Sequence, residues 1–356
     1  MHDRFPQNAK NRHRSQKLDP GAPSPSTRFN PRLFVPALWG LALVGTLAAC
    51  ATGPTVAHET SISTTATTAS VETSTTVATP VPVATPTTVA TPVPIATATV
   101  VARSSAVIDE FATVDGARMH IRCVGSGATT VVLIGGFNDG GDNWGAIEAP
   151  LAQEARVCSS ARLGTGTSDP PTAVQTFTSQ ATQLRVALEA VGEPGPYVLA
   201  GHSFGGAEAV AFASMFPDRV SGLVLIDASP TTWPEAACAV PDDGSDVARS
   251  FHDSCTINFH PDGNAERLDV PAAFGEVATI TSLGQLPMLV VTADSKAYDG
   301  LDAGEAARLN DEWNEGQQRW AALSSVGQVV TVANTSHNIH LDQPAIVVEQ
   351  IQSLSR

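Results

Sequence analysis

Lysine is scarce in this chain of 356 residues, and from residue 105 onward Lys296 is the only one. That stretch holds 12 Lys and Arg against 31 Asp and Glu, a net of −19 where the whole chain carries −15. So negative a surface makes a poor partner for nucleic acid or an anionic membrane face, and no nucleic-acid partner is expected. Solubility is reason enough for the acidity, so no substrate charge is read from it. Metal-ligand spacing is lacking too. No Cys-x-x-Cys pair occurs, and the nine histidines are not spaced as ligand clusters. No metal and no cofactor are expected.

What is present divides the chain into three parts. Residues 1–32 are polar and basic, with Arg4, Lys10, Arg12, Arg14, Lys17, Arg28 and Arg32. Residues 33–49 are almost wholly apolar and end in Leu47-Ala48-Ala49-Cys50. A basic segment, an apolar segment and small residues before a cleavage point make an export signal over 1–50. The apolar run also meets the short limit for a spanning helix, which leaves an uncleaved anchor as the other reading. Residues 51–104 are mostly Thr, Val, Ala, Ser and Pro, with a hexad recurring at Val77–Pro82, Val83–Thr88 and Val89–Pro94. So many prolines exclude regular helix or sheet, so this is an extended, semi-rigid linker. Residues 105–356 are long enough for one large domain.

Within that domain, apolar runs of strand length alternate with helical spacing. Val107–Val114 and Ala117–Val124 read as a hairpin about Asp115-Gly116. Strands follow at Thr129–Ile134, Arg156–Ser160, Pro196–Ala200, Gly222–Asp227, Leu286–Thr292 and Gly327–Ala333. Helices are expected at Trp144–Ala155, Thr178–Val191, 206–216, roughly 303–325, and from about Gln343. Residues 228–285 have weak periodicity and several prolines. Alternation of this kind implies an α/β fold with a mostly parallel sheet covered on both faces, whose reactive groups gather at the C-terminal ends of the strands.

One such strand end carries Gly201-His202-Ser203-Phe204-Gly205. A strand, a G-x-S-x-G turn and a helix together are the setting of a nucleophile elbow, which presents the Ser203 hydroxyl at the strand's end. The plainer reading is a glycine-rich turn with a helix-capping serine.

Four segments in order resemble the α/β-hydrolase superfamily, from about 107 to 355. They are Val131–Phe137 with Trp144 beyond, Arg162-Leu163-Gly164-Thr165-Gly166-Thr167-Ser168-Asp169, the elbow itself with Gly206, and Ser336-His337-Asn338-Ile339-His340-Leu341-Asp342-Gln343-Pro344. The resemblance implies an eight-stranded α/β-hydrolase sheet with a small cap, at about 228–285, between strands 6 and 7. It implies Ser203 as nucleophile and His337 as base, with His340 the competitor three residues on. It implies an oxyanion hole from the backbone N–H groups of Phe137 and Phe204. Relatives often have His-Gly before that amide, where this chain has Gly135-Gly136. Many relatives place the acid after the seventh strand, where this chain has Lys296. Asp227, after the sixth strand, is therefore the preferred acid, with Asp294 and then Asp299 as alternatives. Trp144, Trp233, Trp313 and Trp320 could line a pocket or simply pack.

Leu47–Cys50 likewise resembles a bacterial lipobox, in which Cys50 would be lipidated and hold the chain to a membrane. Four cysteines then remain for two disulfides, an arrangement suited to export, with three pairings open. In the resembled fold the second and fourth strands are neighbours, which favours Cys123–Cys158 and leaves Cys238–Cys255 to staple the cap. The expected function is an exported, lipid-anchored serine hydrolase of a small-molecule ester or related acyl substrate. A non-catalytic binding or interaction domain of the same fold is the alternative.

Overall fold

The computed structural model describes residues 106–356 apart from Ser295 and Ala297. The export signal (1–50, with Cys50) and the linker (51–104) lie outside the described residues. Eight strands form one sheet: β1 (Ile108–Val114), β2 (Ala117–Val124), β3 (Thr130–Ile134), β4 (Arg156–Ala161), β5 (Tyr197–His202), β6 (Val220–Ile226), β7 (Met288–Ala293) and β8 (Gln328–Val332). Their order across the sheet is β1-β2-β4-β3-β5-β6-β7-β8. β1 and β2 form the hairpin about Asp115-Gly116, where both residues have positive φ as a tight two-residue turn requires. β2 also runs antiparallel to β4, and all later pairings are parallel.

Nine α-helices are described: α1 (Gly145–Leu151), α2 (Phe177–Ala190), α3 (Phe204–Met215), α4 (Trp233–Cys238), α5 (Asp246–Asp253), α6 (Val270–Ala278), α7 (Ala303–Ala322), α8 (Ile339–Asp342) and α9 (Pro344–Ser355). None of the described helices is long and apolar enough to cross a membrane. Alternate strand residues feed two cores. Val132, Leu199, Leu223, Leu225 and Val290 pack with Leu184 and Leu188 of α2 and Val210 and Phe212 of α3. Val131, Val198, Val224, Ile226 and Val291 pack on the other face with Ile147 and Leu151 of α1 and Val347 and Ile351 of α9. Burial on both faces explains why the parallel strands read as continuous apolar runs rather than alternating ones. The helix expected over Trp144–Ala155 is shorter. One 3₁₀ turn at Asp142–Trp144 precedes α1, and α1 stops at Leu151, just past Pro150, whose ring removes an N–H from the last turn.

α4, α5 and α6 fall between β6 and β7. Cys238, at the end of α4, is joined to Cys255 in a π turn at Ser254–Asn258. Cys123 of β2 lies directly opposite Cys158 of β4 in the sheet register, and the two are joined.

Candidate active site

β5 ends in His202, and the chain turns into α3 through Ser203 at φ 54° and ψ −122°. A non-glycine residue held there is strained, and surrounding structure must impose the angle. The imposition is visible. A Cβ on Gly201 would lie 2.3 Å from the Gly205 carbonyl oxygen, and one on Gly205 would lie 2.3 Å from the Gly135 carbonyl oxygen. Strand, helix and the loop after β3 thus meet at distances only glycine permits. Ser203 N donates to the Ile226 carbonyl at 3.1 Å, and its own carbonyl accepts from Gly206 N at 3.0 Å. Ser203 occupies the N-cap of α3, yet its hydroxyl makes no capping bond. Its partner is instead the hydroxyl of Ser229, at 3.3 Å.

Asp227 follows β6 directly, with φ 45° and no exposure to solvent. Its N–H is anchored to the Val291 carbonyl of β7 at 2.7 Å. The two carboxylate oxygens do different things. Oδ2 accepts from Nδ1 of His337 at 2.7 Å. Oδ1 accepts from Thr292 Oγ1 at 2.9 Å, Ala293 N at 3.2 Å and Trp313 Nε1 at 3.2 Å, and Lys296 Nζ stands 2.9 Å away. Burial alone would raise the pKa of this carboxyl, but the His337 hydrogen bond, with the charges of His337 and Lys296, outweighs it and keeps Asp227 below the ordinary carboxylate value. Asp294 and Asp299 are exposed on the loop after β7. The structure brings Asp227 to His337.

His337 lies on the loop between β8 and α8, and its backbone is tied to the elbow. Its carbonyl oxygen is 3.1 Å from His202 Nε2, and the two rings are 4.7 Å apart. Burial, reinforced by the neighbouring histidines, holds His202 well below the ordinary histidine range, so the neutral ring donates to that carbonyl. His340 sits apart from Asp227, behind His202. It is buried, packed between Trp144 at 4.8 Å and His202 at 4.3 Å, and burial pushes it down to about 4. Trp144 and Trp320 belong to the two cores. Trp313 stands edge-on to His337 at 5.2 Å, and Trp233 packs on Trp313 at 4.9 Å.

The loop after β3 is held by a buried charge network. Arg162, just past β4, donates to the Gly135 carbonyl at 2.7 Å and to the Gly136 carbonyl. Glu266, between β6 and β7, accepts from Arg162 at 2.8 and 3.0 Å and from Asn138 N at 2.6 Å. A trans peptide points its C=O and the next N–H in opposite directions. Fixing the Gly136 carbonyl on Arg162 therefore turns the Phe137 N–H away from Arg162. A Cβ on Gly136 would fall 3.4 Å from Ser203 Cβ, so this loop lies against Ser203. The Phe137 and Phe204 rings pack at 5.0 Å. Glu208 of α3 completes the network at 3.3 Å from Arg162, and burial raises its pKa to about 7. Burial also opposes the charge of Arg162, but Glu266 and Glu208 outweigh it and hold the guanidinium firmly protonated.

Sequence reasoning passed over Ser229, Glu266 and the role of Lys296. Ser229 and Glu266 carry no local motif, and each meets its partner only through the order of the strands. Among the described residues, one group of His, Cys, Asp or Glu is close enough to hold a metal, namely Cys123, Cys158 and Glu193, and its two sulfurs are spent on the disulfide.

A serine at a helix N-terminus, a histidine tied to the same elbow and a buried carboxylate behind that histidine form an arrangement able to move a proton off a hydroxyl. Comparison with known proteins agrees on the architecture. The family described as "alpha/beta hydrolase fold" matches residues 129–250. The uncharacterized protein YqjL of Bacillus subtilis is 25% identical over 244 residues, 68% of this chain and 90% of that protein. The lipase LipV of Mycobacterium tuberculosis is 36% identical over 110 residues, 31% of this chain and 41% of that protein. Cfl2 of Burkholderia cenocepacia superposes with a TM-score of 0.51 at 23% identity, covering 70% of this chain and 95% of that one.

Proposed function

We propose that this chain, which has the α/β-hydrolase fold, is a serine hydrolase cleaving an ester or related acyl substrate. The observation that carries the reading is the 2.7 Å contact of Asp227 Oδ2 with His337 Nδ1, made beside a strained Ser203 whose hydroxyl is not used for capping. Ser203 Oγ attacks the acyl carbonyl while its proton passes to Nε2 of His337. The developing oxyanion is taken by the N–H groups of Phe204 and Phe137. The leaving alkoxide receives the proton from His337, and an acyl-enzyme remains. Water, deprotonated by the same ring, then releases the acid and restores Ser203. Asp227 holds the ring in the tautomer with Nδ1–H and balances the imidazolium charge. To engage the base, the Ser203 hydroxyl gives up Ser229.

The proposal extends to place. Export with lipidation at Cys50 would put this chemistry at a bacterial cell envelope, held off the membrane by residues 51–104. Two disulfides among the described residues support an oxidising setting.

The test is to treat the full-length protein and its Ser203→Ala variant with a fluorophosphonate probe and a short-chain aryl ester. Labelling and turnover that vanish in the variant are expected. A folded protein that neither labels nor turns over would instead be a non-catalytic binding domain, the reading for which the Ser203–Ser229 contact is the one favourable observation. Cys50→Ser should move the protein from the membrane fraction to the soluble fraction. Retention in the membrane would point to an uncleaved anchor.

A further inference from the structure

The only lysine beyond residue 105 is buried in this site. The Lys296 side chain is 5% exposed, and its ammonium stands 2.9 Å from Asp227 Oδ1 and 5.1 Å from the centre of the Trp313 ring. Its backbone is clamped on both sides by one residue of α7. Lys296 N donates to Asn310 Oδ1 at 2.7 Å, and Asn310 Nδ2 donates to the Lys296 carbonyl at 3.1 Å. Burying an ammonium is costly, and a lysine is kept inside only where an opposite charge meets it. Here that charge is the carboxylate that faces the histidine.

We propose that Lys296 is a positioning residue for the Asp227–His337 pair. It occupies Oδ1, so Oδ2 alone is presented to the ring, and it offsets part of the charge that Asp227 would otherwise exert on the imidazolium. The inference rests on the serine-hydrolase reading. An isolated carboxylate behind a histidine favours the protonated ring. A carboxylate already paired with an ammonium favours it less. Removing the ammonium should therefore strengthen the pull of Asp227 on the imidazolium. Oδ1 retains Thr292, Ala293 and Trp313 as donors without the lysine, so the carboxylate stays in place when the charge is removed.

Few other charges reach His337. Asp227 and Lys296 come from the ends of β6 and β7. His202 on the elbow and His340 on α8 are held neutral by burial. Asp342 of α8 is bonded to Ser336 N at 2.7 Å, and Asp294 is exposed on the β7 loop. Tyr298 stays neutral, because burial and the Asp227 charge hold it above its ordinary value. Among the described residues, Lys296 is thus the cation paired with Asp227.

The experiment is the pH profile of kcat/KM for full-length protein, Lys296→Met and Lys296→Arg on an aryl ester. In Lys296→Met the acidic limb should move up by about one pH unit, which is about a tenfold loss below the limb and little change on the plateau. Lys296→Arg keeps the charge and should keep the limb. Lys296→Gln replaces the methionine variant if that protein does not fold. A uniform loss at every pH with an unmoved limb, in either neutral variant, overturns the proposal and leaves Lys296 a packing residue. Failure of the unsubstituted protein to label or turn over is a different result and overturns the serine-hydrolase reading itself.

Discussion

The ends of β6 and β7 are adjacent, both lie near His337, and carry opposite charges. β6 is followed directly by a buried aspartate that bonds His337, and the β7 loop turns a buried lysine back onto that same aspartate. A carboxylate stands behind the histidine here, and it comes from the strand end that β7 holds in place. β6 can supply it because the Asp227 N–H is locked to β7, and the residues around the end of β7, Thr292, Ala293 and Lys296, all turn toward it. The end of β7 and the loop after it support Asp227.

The largest effect should come from the β6 end. Asp227→Asn leaves the shape of the site but presents the wrong hydrogen-bonding face to His337, and kcat should fall by a factor on the order of 10⁴, measured on a chromogenic ester with circular dichroism to verify folding. Moving the acid back sharpens the comparison. Asp227→Asn combined with Lys296→Asp should recover at least about tenfold over Asp227→Asn alone, since it restores a carboxylate at the β7 position. No recovery would mean that the β7 loop of this chain no longer reaches the ring. Thr292→Val removes one donor from Oδ1 and should reduce kcat by about threefold to tenfold, in keeping with the loss of one hydrogen bond to a charged group. Asp294→Asn should change kcat/KM by less than about twofold, because an exposed carboxylate in water acts only weakly on the ring.

Much of this was legible in the sequence. The elbow, the strand run and the glycines of the loop after β3 are local patterns, and period and turn chemistry are enough to read them. The cysteines alone left three pairings open, and Cys123–Cys158 was favoured only through the resemblance, which implies that the second and fourth strands are neighbours. Less legible were contacts made across long separations. Glu266 reaches Arg162 over 104 residues, and Asp227 meets Trp313 over 86. Neither pair shares a motif, and only strand order and the packing of α7 bring them together. Lys296 was visible as a residue in an unexpected place, but its meaning depends on where a flexible side chain turns. The end of α1 is less legible, because apolar spacing runs on to Ala155 while the helix stops at Leu151, one residue past Pro150.

The central claim is that Ser203 is driven by Asp227 through His337. The most direct test is the rate of fluorophosphonate labelling at Ser203 in the full-length protein, Asp227→Asn and Asp294→Asn, measured side by side at neutral pH. The account predicts equal rates for the unsubstituted and Asp294→Asn proteins and a rate at least about 100-fold lower for Asp227→Asn. Slow labelling of Asp294→Asn with Asp227→Asn unaffected would contradict it and return the acid to the β7 loop.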